Sequence, residues 1–143
     1  MKREIKFRGK TESNQFIFGD LIQYENGDTA IWEKEITGYG YEATQISNRT
    51  KVDKGTIGQF TGLHDKNGKE IYEGDILMCI GERNDNKGRK YYRKVLFNNG
   101  AFGMTVPEYK CISALCNHVV NGKLNWEVIG NIYDNPELLE EKL

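Results

Sequence analysis

The chain has 143 residues, 38% of them hydrophobic and 29% charged, with a formal net charge of −1. This composition supports a packed core and excludes a disordered chain, and the length suits a single domain over residues 1–143. A net charge so close to zero provides no global pull toward nucleic acid or a membrane, so any such contact needs a local patch.

In chain order, Ile5 and Phe7 alternate with Glu4, Lys6 and Arg8, which predicts a half-buried strand with a charged outer face. Phe16, Phe18, Ile22 and Tyr24 share one parity, interrupted at Gly19-Asp20, where a bulge is expected. Asn26-Gly27 separates this run from Thr29-Ala30-Ile31-Trp32 and predicts a hairpin, because a type I′ turn needs positive φ at both of its central residues. Residues 33 to 55 carry no clear period, and Thr37-Gly38-Tyr39-Gly40-Tyr41 fits an irregular strand or a loop.

Thr56 to Phe60 reads as a short strand, and Asn67-Gly68 marks a second turn. A further turn at Glu73-Gly74-Asp75 leads into Ile76 to Ile80, which is apolar on both parities and therefore expected to be covered on both faces. Residues 81 to 90 hold nothing apolar and predict a solvated, mobile loop or hairpin tip. Tyr91 to Phe97, with Val95 and Phe97 in phase, pairs through Asn99-Gly100 with Phe102, Met104 and Val106. Ile112, Leu115, Cys116 and Val119 fall on one stripe of a short internal helix. Asn121-Gly122 turns the chain again before a last strand from Trp126 to Tyr133. Asn135-Pro136-Glu137 then opens a short C-terminal helix, with Asn as cap, Pro at its first position and Glu near its positive end. The sum is a mainly β chain with 16 glycines for its many turns, built as an antiparallel barrel-like or strongly coiled sheet.

Several chemistries find little support. Cys79, Cys111 and Cys116 read as free thiols, and with His64 and His118 they lack the paired spacing of a structural zinc site. No metal or other cofactor is expected. Phosphate loops, nucleophile elbows, zinc-protease helices and dinucleotide fingerprints are not found in the sequence. No apolar run approaches the roughly 20 residues of a membrane-spanning helix, and the opening Met1-Lys2-Arg3 leads into no hydrophobic stretch of a secretory signal. The expected location is the cytosol, without membrane contact.

Three clusters invite function. Gln59, Thr61, His64, Asp65, Glu73 and Asp75 offer acids, a base and hydrogen-bonding groups, but the glycines among them favour turn geometry over catalysis. Arg83, Lys87, Arg89, Lys90, Arg93 and Lys94, interleaved with Tyr91 and Tyr92, form a candidate single-strand nucleic-acid contact, to which Lys6, Arg8 and Lys10 could add. A solvated loop and a charged strand edge explain the same residues and are preferred. Phe16, Phe18, Tyr24, Trp32, Tyr39 and Tyr41 are core candidates, and any surplus left exposed would serve self-association.

Taken in order, Arg3 to Gly9, Ile17 to Leu21, Thr56 to Leu63, Asp65 to Ile76, Phe97 to Phe102 and Val128 to Leu139 resemble the YopX family across nearly the whole chain. The stretch from Thr56 to Ile76 is the most specific, while 33–50, 81–90 and 107–123 match nothing in the family pattern. The resemblance implies a mostly β fold with barrel-like character and occurrence in phages, prophages and mobile elements of bacteria. It supplies no catalytic or ligand-binding residue. The expected function is therefore that of a phage-borne accessory protein, not an enzyme, that binds a phage or host protein or its own copies. A nucleic-acid-binding module using residues 83–94 is the alternative.

Overall fold

The computed structural model describes residues 3–37 and 44–140. Two compact units follow one another along the chain, Met1–Phe60 and Thr61–Leu143. Among the described residues the regular elements are strands and short 3-10 turns.

The first unit contains β1 (Phe7–Lys10), β2 (Phe16–Gln23), β3 (Thr29–Thr37) and β4 (Thr44–Lys51), followed by a 3-10 turn at Lys54–Thr56 and the start of β5 (Gly58–His64). Its strands lie antiparallel in the order β4-β3-β2-β1-β5. β2 changes partner midway: Phe16 to Gly19 pair with β1, and Asp20 to Gln23 pair with β3. Gly19 stands at that change, and a Cβ there would run into the Trp32 carbonyl. The sequence placed a bulge here; the structure places a hand-over between neighbours that only glycine fits. β3 and β4 form a long hairpin that the aperiodic 33–55 stretch concealed, and the aromatic segment at Tyr39 and Tyr41 lies outside the described residues.

In the second unit the later part of β5 neighbours β6 (Glu70–Tyr72). β7 (Asp75–Ile80), β8 (Lys90–Asn98), β9 (Ala101–Val106), β10 (Cys111–Ala114) and β13 (Glu127–Asn131) make an antiparallel sheet in the order β10-β9-β8-β7-β13. β11 (Val119–Val120) and β12 (Lys123–Leu124) form a small hairpin. One face of the sheet is apolar: Leu77, Val95, Met104 and Val128 cluster with Ile71, Leu115 and Leu124, flanked by Leu63, Phe102, Val119 and Trp126. Each fully buried aliphatic side chain contributes about 2 kcal/mol over its exposed state.

Both expected helices are corrected. Residues 111–118 are a strand followed by the 3-10 turn Leu115–His118, and the terminal segment is a 3-10 turn over Pro136–Leu139. An isolated helix this short is marginal, and pairing Cys111 to Ala114 with β9 satisfies the same backbone groups. The supposed apolar stripe comes apart: Leu115 enters the core, while Ile112 is 40% exposed. Asn135 does not cap the turn after it; its Oδ1 accepts from the Asn131 N–H at 3.2 Å. The barrel is corrected as well. Among the described residues the sheets have distinct edge strands and do not close.

The Asn-Gly turns divide into two kinds. Asn99-Gly100 (φ 50° and 80°) and Asn121-Gly122 (φ 52° and 78°) have positive φ at both residues, as a type I′ turn requires. At Asn26-Gly27 and Asn67-Gly68 only the glycine is positive, and the loop is one residue longer, closed by Tyr24 N–H to Asp28 and Asp65 N–H to Lys69.

Candidate binding face

β8 positions most of the basic segment, and the alternation of a strand sorts it. Arg93 shares its face with Val95, since both are paired to core positions: Arg93 with Leu77 and Val95 with Met104. Its guanidinium is nearly buried. Nη2 meets Glu108 Oε1 at 3.0 Å, Nη1 donates to the Tyr92 carbonyl at 3.0 Å, and the group lies 5.4 Å from the Tyr91 ring and 5.5 Å from the Trp126 ring. Arg93 therefore ties β8 to the Pro107–Tyr109 turn and its cation faces inward.

Lys90, Tyr92 and Lys94 occupy the opposite face. They pair with Ile80, Met78 and Ile76 on β7, and beyond Lys94 the same row continues through Thr105 on β9 to Ile112 on β10. Ile80 is 49% exposed, so aliphatic, aromatic and cationic groups meet solvent together on this face. At the Ile76 end the terminal Pro136–Leu139 turn lies against β8, and Ile76 itself is fully buried. That accounts for a β7 apolar on both parities.

The remaining predicted contacts sit in the tip between β7 and β8. Arg83 pairs with Asp85 at 3.3 Å, Lys87 is exposed, and Arg89 lies 5.2 Å from the Tyr91 ring. The tip is tied by its backbone: Gly81 N–H donates to Arg89, Gly88 N–H to Gly81, and the Arg83 N–H to Asn86 Oδ1. The structure thus brings Lys90, Tyr92 and Lys94 together, leaves Arg83, Lys87 and Arg89 around the tip, and turns Tyr91 and Arg93 to the core side.

The first unit treats its cations differently. Arg8 and Lys10 are 6% and 4% exposed and lie over the Phe16 ring at 4.3 and 5.0 Å. Lys6 lies 5.1 Å from Phe60, and Arg49 lies 4.9 Å from Trp32. Phe18 and Tyr24 remain on the surface.

The acid-and-amide cluster is occupied with backbone groups. The buried Asp65 carboxylate accepts from the N–H groups of Asn67 and Lys69 at 2.8 Å and of Val128 at 2.9 Å. Asp75 accepts from the Tyr72 N–H, and the Thr61 hydroxyl donates to the Ile71 carbonyl. No group of three or more metal-binding side chains occurs among the described residues.

One pair escaped the sequence reading: Ser113 Oγ and His118 Nε2 are 2.8 Å apart, joining β10 to the turn after it. Burial, and then the Arg93 charge, hold the imidazole below its ordinary pKa, so it is neutral at neutral pH and able to accept the hydroxyl proton. The ring also stands edge-on to Trp126. A Ser-x-x-x-x-His spacing carries no signal for such a pair. Burial likewise raises the Cys79 thiol above its usual value.

No helix among the described residues is long and apolar enough to cross a membrane. Solved structures similar to this chain include two from bacteria. Protein EF1440 from Enterococcus faecalis is 26% identical with a TM-score of 0.58, and protein yopX from Bacillus subtilis is 25% identical with a TM-score of 0.54. Both alignments cover 97% of this chain and 100% of the other. No curated protein matches. The YopX protein family model matches residues 6–140, and the chain belongs to that family.

Proposed function

We propose that this YopX-family chain is a phage- or prophage-derived accessory protein of the bacterial cytosol that works by binding, its partner a phage or host protein or a second copy of itself. The reading takes residues 1–143 as one functional domain. One observation carries it: Ile80, Met78, Tyr92, Lys90 and Lys94 share a sheet face that meets solvent. Tyr and Met are enriched at protein contact surfaces, and lysines beside them suit the polar rim of such a surface. Site-specific photo-crosslinking from position 92 in induced host cells tests the proposal. A defined protein adduct, lost when Ile80→Asp is introduced, is expected; adducts no different from those formed at position 87 in the tip would refute it.

A second reading is favoured by the placement of Lys90, Tyr92 and Lys94 in one row, with Lys87 and Arg89 nearby: contact with single-stranded nucleic acid. Arg93 would then act through the fold and not on phosphate. Four phosphate contacts give a log–log salt slope of about −3 for a single strand. Titration of an oligonucleotide at several salt concentrations separates the two readings.

A further inference from the structure

A groove of about 590 Å³ opens on the same sheet face as Lys94, beside the Pro107–Tyr109 turn. Among the described residues two lysines, Lys94 and Lys110, line it, and no carboxylate does. In a chain with 20 cations and 21 acids, that is a local excess of positive charge. Its apolar part is aliphatic: Pro107, Ile112 and Leu139 contribute, with no aromatic ring among the described lining residues.

Lys110 is held in the left-handed region at φ 49° and ψ 42°. Among the described residues the other non-glycine residues with positive φ are Asn14, Asn99 and Asn121, and Asn is the side chain that tolerates this region best. Its N–H closes the turn on the Pro107 carbonyl, but lysine tolerates this region less well than Asn, so the fold carries strain at a residue that borders the groove.

We infer that this groove docks an acidic, apolar-anchored peptide segment of a protein partner. The inference rests on the proposed protein-binding function and names the partner's chemistry. Carboxylates of the segment meet Lys94 and Lys110, and an aliphatic side chain sits against Ile112, Pro107 and Leu139. The rest of the segment leaves the groove past Lys94 toward Tyr92 and Lys90. A nucleic-acid strand offers the same charge but binds through base stacking, and the groove has no ring to stack on.

The test is fluorescence anisotropy on the full chain with three labelled probes: a hexapeptide alternating aspartate and leucine, one alternating lysine and leucine, and hexathymidylate. The acidic peptide is expected to bind and the basic one not, with affinity falling at least tenfold for Lys110→Glu and for Ile112→Ser. Lys110→Asn keeps a residue suited to the left-handed region; it should raise the unfolding midpoint while still weakening the peptide, which separates docking from folding. Equal binding of the two peptides, equal or tighter binding of hexathymidylate, or no effect of Lys110→Asn overturns the inference. Adducts at position 92 without any acidic-peptide binding would remove the groove and leave the proposed function standing. Lys110-dependent peptide binding without position-92 adducts would keep the groove and take the partner contact off the Tyr92 row.

Discussion

β1 and β8 carry the same kind of sequence, cations set close to aromatic residues, and the fold uses them in opposite ways. On β1, Arg8 and Lys10 are nearly buried and lie over Phe16, so their stems and charges complete the first unit. On β8, Lys90 and Lys94 lie on the outward face with Tyr92, and Arg93 alone repeats the β1 arrangement, stacked between Tyr91 and Trp126 and paired to Glu108. Cation–aromatic interleaving therefore does not report a ligand. What separates a structural cation from a binding cation is the face it shares with the core, and a strand assigns that by parity.

Substitutions can break or sharpen this contrast. Arg93→Ala should cost about 3 kcal/mol, since it removes a nearly buried side chain and its two ring contacts, while Glu108, itself exposed, adds little by losing its partner. Urea unfolding would show it, and a loss under 1 kcal/mol would place Arg93 with the surface lysines. Arg8→Ala should cost about 2 kcal/mol through its lost contact with Phe16, read in the same assay. Lys90→Ala and Lys94→Ala should each stay within about 0.5 kcal/mol of the parent while weakening partner binding; a larger loss of stability would move them to the structural class.

The smallest effect is on pH dependence. His118 has a lowered folded pKa, so its contribution to stability is full above the unfolded value of about 6.5 and is lost as pH falls through the folded value. Arg93→Ala should move the His118 midpoint upward, because it removes the charge that helps to lower it. NMR titration of the imidazole checks this, and an unmoved midpoint would separate His118 from the Arg93 charge.

Much of this is legible in the sequence alone. The pairing of β8 with β9 through Asn99-Gly100 followed from period two and turn chemistry. The inward face of Arg93 was also legible, since it shares parity with Val95 and Phe97, but the count of cations hid it. Other features depended on long-range contacts. Ile112, Leu115 and Val119 satisfy a helical stripe and a strand-plus-turn equally, and only the presence of β9 decides between them. The two kinds of Asn-Gly turn differ by one residue of loop length, which the dipeptide does not encode. Asp65 looked like part of a turn, and its third donor comes from Val128, far along the chain.

That last bond bears on the order of assembly. Both units close on a late strand: β1 waits for β5, whose Gln59 pairs with Phe7, and β7 waits for β13 and Asp65 for an amide 63 residues later. On a ribosome, the hairpins of the first unit can form as they emerge, but the second lacks Leu124, Val128 and an edge strand until its last quarter is made. Premature termination before residue 128 would thus release a folded leading unit joined to an open sheet, a species for chaperones or proteases to clear.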